Sequence, residues 1–195
     1  MPPPHAWFAQ EVDYESSFWS TPQIFARPSG IEILEGSHGG STWLSMRDGE
    51  WQRDRPADGT WVSAVFGPDG ARWLLVAAQD NTLQLVHAGK PEVAMTTFSE
   101  TTDQAALTLD AHGTPHICVV DTPRRTVSHV VNGVVEAAPG DSETCTIAVG
   151  DDGTVYIGTR EGVAVRTNGT WKLEAGGKTI VTRARDGTVV ALSAK

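Results

Sequence analysis

Five segments that end in glycine divide this chain at nearly even intervals. They read Phe25-Ala-Arg-Pro-Ser-Gly30, Phe66-Gly-Pro-Asp-Gly70, Leu109-Asp-Ala-His-Gly113, Val149-Gly-Asp-Asp-Gly153 and Arg183-Ala-Arg-Asp-Gly187, with glycines 40, 43, 40 and 34 residues apart. A second series keeps step with the first. Asp48-Gly49, Ala88-Gly89, Asn132-Gly133 and Asn168-Gly169 follow 19, 19, 20 and 16 residues behind it. No long window carries apolar residues at helical spacing. A period near forty residues, built from short strands and glycine turns, predicts an all-β fold, a β-propeller of four-stranded antiparallel blades.

The repeat around Gly153 shows the unit best. Thr144-Cys-Thr-Ile-Ala-Val149 is β-branched and alternating, which predicts a strand. Asp152-Gly153 supplies the positive φ of a tight turn. Thr154-Val-Tyr-Ile-Gly-Thr159 and Gly162-Val-Ala-Val-Arg-Thr167 are the second and third strands. After Asn168-Gly169, Thr170-Trp-Lys-Leu-Glu-Ala175 is the fourth. The same reading over the chain places blades at 21–54, 61–95, 104–138 and 143–175. A fifth closes from both termini, with 178–195 supplying two strands and 5–12 a third. The whole of 1–195 is then one five-bladed domain whose last blade has three strands. An edge left open there would let another chain add a strand, giving an oligomer.

The stretch Asp151-Asp-Gly-Thr-Val-Tyr-Ile-Gly-Thr-Arg-Glu-Gly162, followed by Asn168-Gly-Thr-Trp171, resembles the repeats of two-component-regulator-type propellers. In that family such repeats form the sensory part of signalling proteins, so the resemblance implies sensing or binding. Gly36-Ser-His-Gly-Gly-Ser-Thr-Trp43 resembles a degenerate Asp-box of sialidase-like propellers. His38 stands where that box has aspartate, and such boxes are structural turns, so no catalytic role is assigned to it.

Charge narrows the partners. The 195 residues carry a formal net charge of −9. Nucleic acid and anionic membrane, which need a basic face, are therefore not expected partners. A basic protein surface, a cationic small molecule or a saccharide is compatible. No apolar run is long enough to span a membrane as a helix. Met1-Pro-Pro-Pro-His5 lacks the basic and apolar regions of a secretory signal. Cys118 and Cys145 sit among apolar neighbours and are read as buried free thiols, which with the missing signal gives a cytoplasmic expectation.

Strand alternation places both glycine series on one face of the propeller and the longer inter-blade loops on the other. Loops on a rigid scaffold carry function more often than short hairpins do. Counted from the glycine turns, Asp103 and Glu143 share one position, with Asp58 two residues earlier. Trp19 and Trp61 fall on adjacent blades, and Lys178 holds the corresponding region of the fifth. The expected site is thus an acidic funnel lined by Trp19, Trp61, Asp58, Glu100, Asp103 and Glu143. Indole faces would stack on a sugar or hold a cation, and carboxylates would bind positive charge or hydroxyls. This predicts a non-catalytic, lectin-like binding or interaction module needing no cofactor. The rival reading is a propeller enzyme of glycosidase or lyase type, with a carboxylate pair drawn from Asp103, Glu143 and Asp58. His112 and His116 lie four apart on a hairpin rather than a helix, and His116 and His129 align with core positions, so no metal site is expected.

Overall fold

The computed structural model describes residues 23–27, 30–37, 40–54, 60–67, 69–77, 82–87, 90–97, 104–184 and 187–193. Every regular element among them is a β-strand. The first sheet is a meander of β1 (Gln23–Arg27), β2 (Gly30–Ser37), β3 (Gly40–Arg47) and β4 (Glu50–Asp54). The second contains β5 (Thr60–Phe66), β6 (Arg72–Ala77), β7 (Thr82–His87) and β8 (Lys90–Thr97). The third contains β9 (Ala105–Leu109), β10 (Pro115–Asp121), β11 (Thr126–Val131) and β12 (Val134–Asp141). The fourth contains β13 (Thr146–Val149), β14 (Val155–Gly158), β15 (Gly162–Thr167) and β16 (Thr170–Ala175). A two-stranded sheet of β17 (Thr179–Arg183) and β18 (Val189–Ser193) follows. All pairings are antiparallel, in sequence order.

The two glycine series form two different turns. At Gly67, Asp110, Gly150 and Ala184 the N–H donates to the carbonyl four residues on, and the N–H of the glycine three residues on donates back. Gly70, Gly113, Gly153 and Gly187 take φ between 79° and 85° there, a region that side chains with a Cβ rarely enter. In three of these turns an aspartate fixes the loop: Asp69 accepts from Ala71 N, Asp110 from His112 N and Thr114 N, and Asp152 from Thr154 N. The second series is tighter. Asp48-Gly49, Asn132-Gly133 and Asn168-Gly169 have positive φ at both residues, the two-residue turn whose twist suits a hairpin. Gly30 departs from its series, because it opens β2 and pairs with Arg27.

Neighbouring sheets pack through their first strands, β5 against β9, β9 against β13 and β13 against β17. Between the second and third sheets lies an apolar core of Trp73, Leu75, Leu83, Leu85, Leu107, Leu109, Ile117, Val119 and Val130. Between the third and fourth lies a second, with Val120, Val127, Ile147, Val149, Val155 and Ile157. The fourth and fifth sheets approach so closely that only glycine fits at 158, where a Cβ would strike the Thr179 carbonyl. Thr179 N donates to Thr159 O (2.8 Å) and Val181 N to Thr146 Oγ1 (2.9 Å) across this contact.

The cysteines correct an expectation. Cys118 on β10 and Cys145 before β13 are joined in a disulfide, with Cα atoms 6.3 Å apart. They are not free thiols. Both do face an apolar core, but it is the core shared by two sheets, and the bond staples those sheets together. The strand expected at 5–12, the Ala88-Gly89 turn and His38 lie outside the described residues. Strand β12 runs to Asp141, three residues past the expected blade end at 138. Large exposed apolar side chains concentrate on the first and last sheets, at Ile24 and Ile31 and at Ile180, Val190 and Leu192, with Val134 and Val135 on β12.

Candidate functional site

Three connections meet at one pocket on the inter-blade loop face. The β12–β13 connection supplies Ser142, Glu143 and Thr144, the β14–β15 connection Arg160, and the β16–β17 connection Lys178. The space they enclose is about 270 Å³. That lies just below the range of about 300 to 1,000 Å³ that clefts for drug-sized ligands occupy.

Ser142 organises the floor. It is 1% exposed, and its N–H donates to Arg125 O at 3.0 Å. Its hydroxyl donates to Thr144 O and accepts the N–H groups of Thr144 (3.3 Å) and Arg160 (3.2 Å). Arg160 therefore rides on a loop pinned to its neighbour. That loop is also closed upon itself. Thr159 N donates to Gly162 O, Thr159 Oγ1 to the same carbonyl, and Gly176 N to Glu161 O. The side chains at the pocket rim thus project from backbone held by buried and part-buried hydrogen bonds.

Charge at the rim is unevenly matched. Arg125 places Nη1 3.3 Å from Glu143 Oε1 and Nε 2.7 Å from Asp141 Oδ1. The Asp141 hydrogen bond raises the Arg125 pKa above its usual value. The Glu143 carboxylate is therefore already partnered. Arg160 and Lys178 are exposed, and neither side chain has an ion-pair or hydrogen-bond partner among the described residues.

Of the six residues expected to line a funnel, Glu143 lines this pocket. Trp61 lies in β5, its side chain outside the described residues, and Trp19, Asp58, Glu100 and Asp103 lie wholly outside them. Lys178 is in the pocket, as its place in the fifth repeat suggests. Sequence reasoning missed Arg160 and Ser142. The available signal was the Thr159-Arg-Glu-Gly162 loop, which a comparison confined to acids and aromatics passes over.

A second polar centre is buried near the glycine turns. His116 Nδ1 and His129 Nε2 are 3.0 Å apart, and His129 is fully buried. Burial and then His116 push His129 down to about 4. Burial likewise lowers His116, although Asp110 lies 3.7 Å from its Nε2. Burial alone would raise the Asp110 carboxyl, but hydrogen bonds from Thr114 and His112 outweigh it and hold the group low. Beyond His129, Glu136 Oε2 stands 3.8 Å from Nδ1 and 2.7 Å from Arg166 Nε, and that guanidinium keeps Glu136 ionised. His129 meets the edge of Trp171. One nitrogen of each imidazole faces the other ring, and the outer nitrogens face Asp110 and Glu136. No group of three metal-ligating side chains occurs among the described residues.

No protein-family model matches the chain, and no curated protein is similar to it in sequence. Solved structures are similar in fold. A functionally unknown protein from Desulfotomaculum acetoxidans matches 88% of this chain and 62% of its own at 10% identity, TM-score 0.60. A streptogramin B lyase matches 88% of this chain and 68% of its own at 14% identity, TM-score 0.52. The extracellular domain of a putative hybrid two-component system from B. thetaiotaomicron matches 86% of this chain and 26% of its own at 11% identity, TM-score 0.54. The chain spans about three fifths of the first of these proteins. With four successive four-stranded antiparallel sheets, these likenesses define the fold as a β-propeller. No helix among the described residues is long and apolar enough to cross a membrane.

Proposed function

We propose that this propeller is a non-catalytic binding module that takes a small ligand on its inter-blade loop face. The observation that carries this is the pocket at Ser142, Glu143, Thr144, Arg160 and Lys178, whose walls come from three separate connections. Its concavity favours a small molecule over a flat protein surface. Trp19, Trp61, Asp58, Glu100 and Asp103 form the wider rim of the same face in this reading. The disulfide between Cys118 and Cys145 favours an oxidising compartment over the cytoplasm, where such bonds are rare.

Amide NMR of the full chain with a small-molecule fragment set tests the proposal. Shift changes confined to Ser142–Thr144, Arg160 and Lys178 are expected. Changes confined to the glycine-turn face would overturn it. So would turnover of a glycoside substrate that Glu143→Gln abolishes, because the protein would then be an enzyme.

A further inference from the structure

The charge left unmatched in the pocket points to the chemistry of its ligand. We infer that the ligand carries an oxyanion group, a carboxylate or a phosphate, held by Arg160 and Lys178. This rests on the pocket being the binding site, and it departs from the saccharide or cation that an acidic chain suggests.

The charges decide between these. Among the described residues that line the pocket, Glu143 is the one acid, and Arg125 pairs with it at 3.3 Å. Arg125 is in turn shared with Asp141, so these three groups keep one net negative charge, and Arg160 and Lys178 bring the five to one net positive charge. Arg160 and Lys178 have no such partner among the described residues. The long side chains of both can turn toward the enclosed space. A guanidinium offers a planar fork that matches carboxylate or phosphate oxygens in two parallel hydrogen bonds, and an ammonium adds a point charge beside it. The Ser142–Arg160 backbone bond fixes where the fork starts, which reduces the freedom lost on binding. The chain as a whole, at −9, repels anions at long range, so selectivity must come from contact at this spot.

The test groups fragments by charge and reads amide shifts and affinity on the full chain. The set contains carboxylates such as galacturonate, phosphates such as glucose 6-phosphate, neutral galactose, and amines such as glucosamine. Galacturonate or glucose 6-phosphate should shift Ser142–Thr144, Arg160 and Lys178, with galactose and glucosamine at least about ten-fold weaker. Whichever of the two binds tighter identifies the source of the oxyanion. Arg160→Ala and Lys178→Ala should each weaken binding by about five- to twenty-fold. Glu143→Gln should strengthen it about two-fold by removing a negative charge from the pocket lining. Both cations are exposed, so these variants are expected to fold, and unchanged thermal midpoints confirm it. If glucosamine or galactose binds at these amides and the anions do not, the oxyanion inference is overturned while the binding site stands. If no fragment shifts them, both fall.

Discussion

The interface between the second and third sheets and the one between the third and fourth solve the same packing problem differently. The first is almost wholly apolar. Leu75, Leu83, Leu107, Ile117 and Val119 fill it, and a hydrogen bond from Leu107 N to Ser63 Oγ crosses it at 3.1 Å. The second has an apolar core of similar kind, but adds a disulfide, a buried histidine pair and the ion pair of Glu136 with Arg166. Identical strand topology therefore supports two chemistries. The apolar interface holds no disulfide, whereas its neighbour should respond to both reductant and protons.

Reduction should produce the largest difference. The cysteines are 27 residues apart, and closing a loop of that length removes denatured-state entropy worth about 3 to 4 kcal/mol. The double variant Cys118→Ala/Cys145→Ala should lose about that much stability, measured by urea unfolding with and without dithiothreitol. Leu75→Ala in the other interface should cost about 2 to 5 kcal/mol in either condition, since it only opens a cavity. Equal midpoints for the wild type with and without dithiothreitol would remove the redox half of the comparison.

Acid comes next. His129 is held at about 4, well below the ordinary value of 6.5. Between these values the unfolded chain binds the proton and the folded chain does not. Stability therefore falls as pH drops from 6.5 toward 4, by roughly 3 kcal/mol from this residue alone. Glu136 and Asp110, both lowered, add to the loss as pH falls further. Leu85 occupies in the second sheet the place of His129 in the third, since Leu75 pairs with Leu85 as Cys118 pairs with His129. His129→Leu should therefore flatten the dependence of the unfolding midpoint on pH between 6.5 and 4. A slope as steep as in the wild type would place the acid sensitivity elsewhere.

This contrast also marks how far the sequence could be read. Asp-Gly and Asn-Gly pairs dictate backbone locally, so the turns at Gly70, Gly153, Gly49, Gly133 and Gly169 were legible, as was the period they share with His112-Gly113. The core placement of His116 and His129 followed from their register. Their contact with each other did not, because it depends on side-chain rotamers across two strands. The disulfide was hidden for a related reason. A cysteine facing a shared core looks the same in sequence whether it meets a thiol or a methyl group, and the outcome depends on how two sheets stack. Glu143 was legible as a loop acid, but its neutralisation by Arg125 was not. Arg125 lies 18 residues earlier, in the β10–β11 turn, at φ 57°.

The smallest effect belongs to the contact between the fourth and fifth sheets. Arg183 pairs with Asp151 there, but the aspartate is 63% exposed, so water and salt screen the attraction. Ordering two side chains at a wet site offsets most of the Coulomb gain. Arg183→Ala should therefore cost less than about 1 kcal/mol in urea unfolding, and less again in 1 M salt. The backbone bonds from Thr179 and Val181 do not involve either side chain and should persist. Gly158→Ala is the opposite case at the same contact, because a methyl group would push against the Thr179 carbonyl itself. If Arg183→Ala proved the more damaging of the two, close backbone packing would not be what joins these sheets.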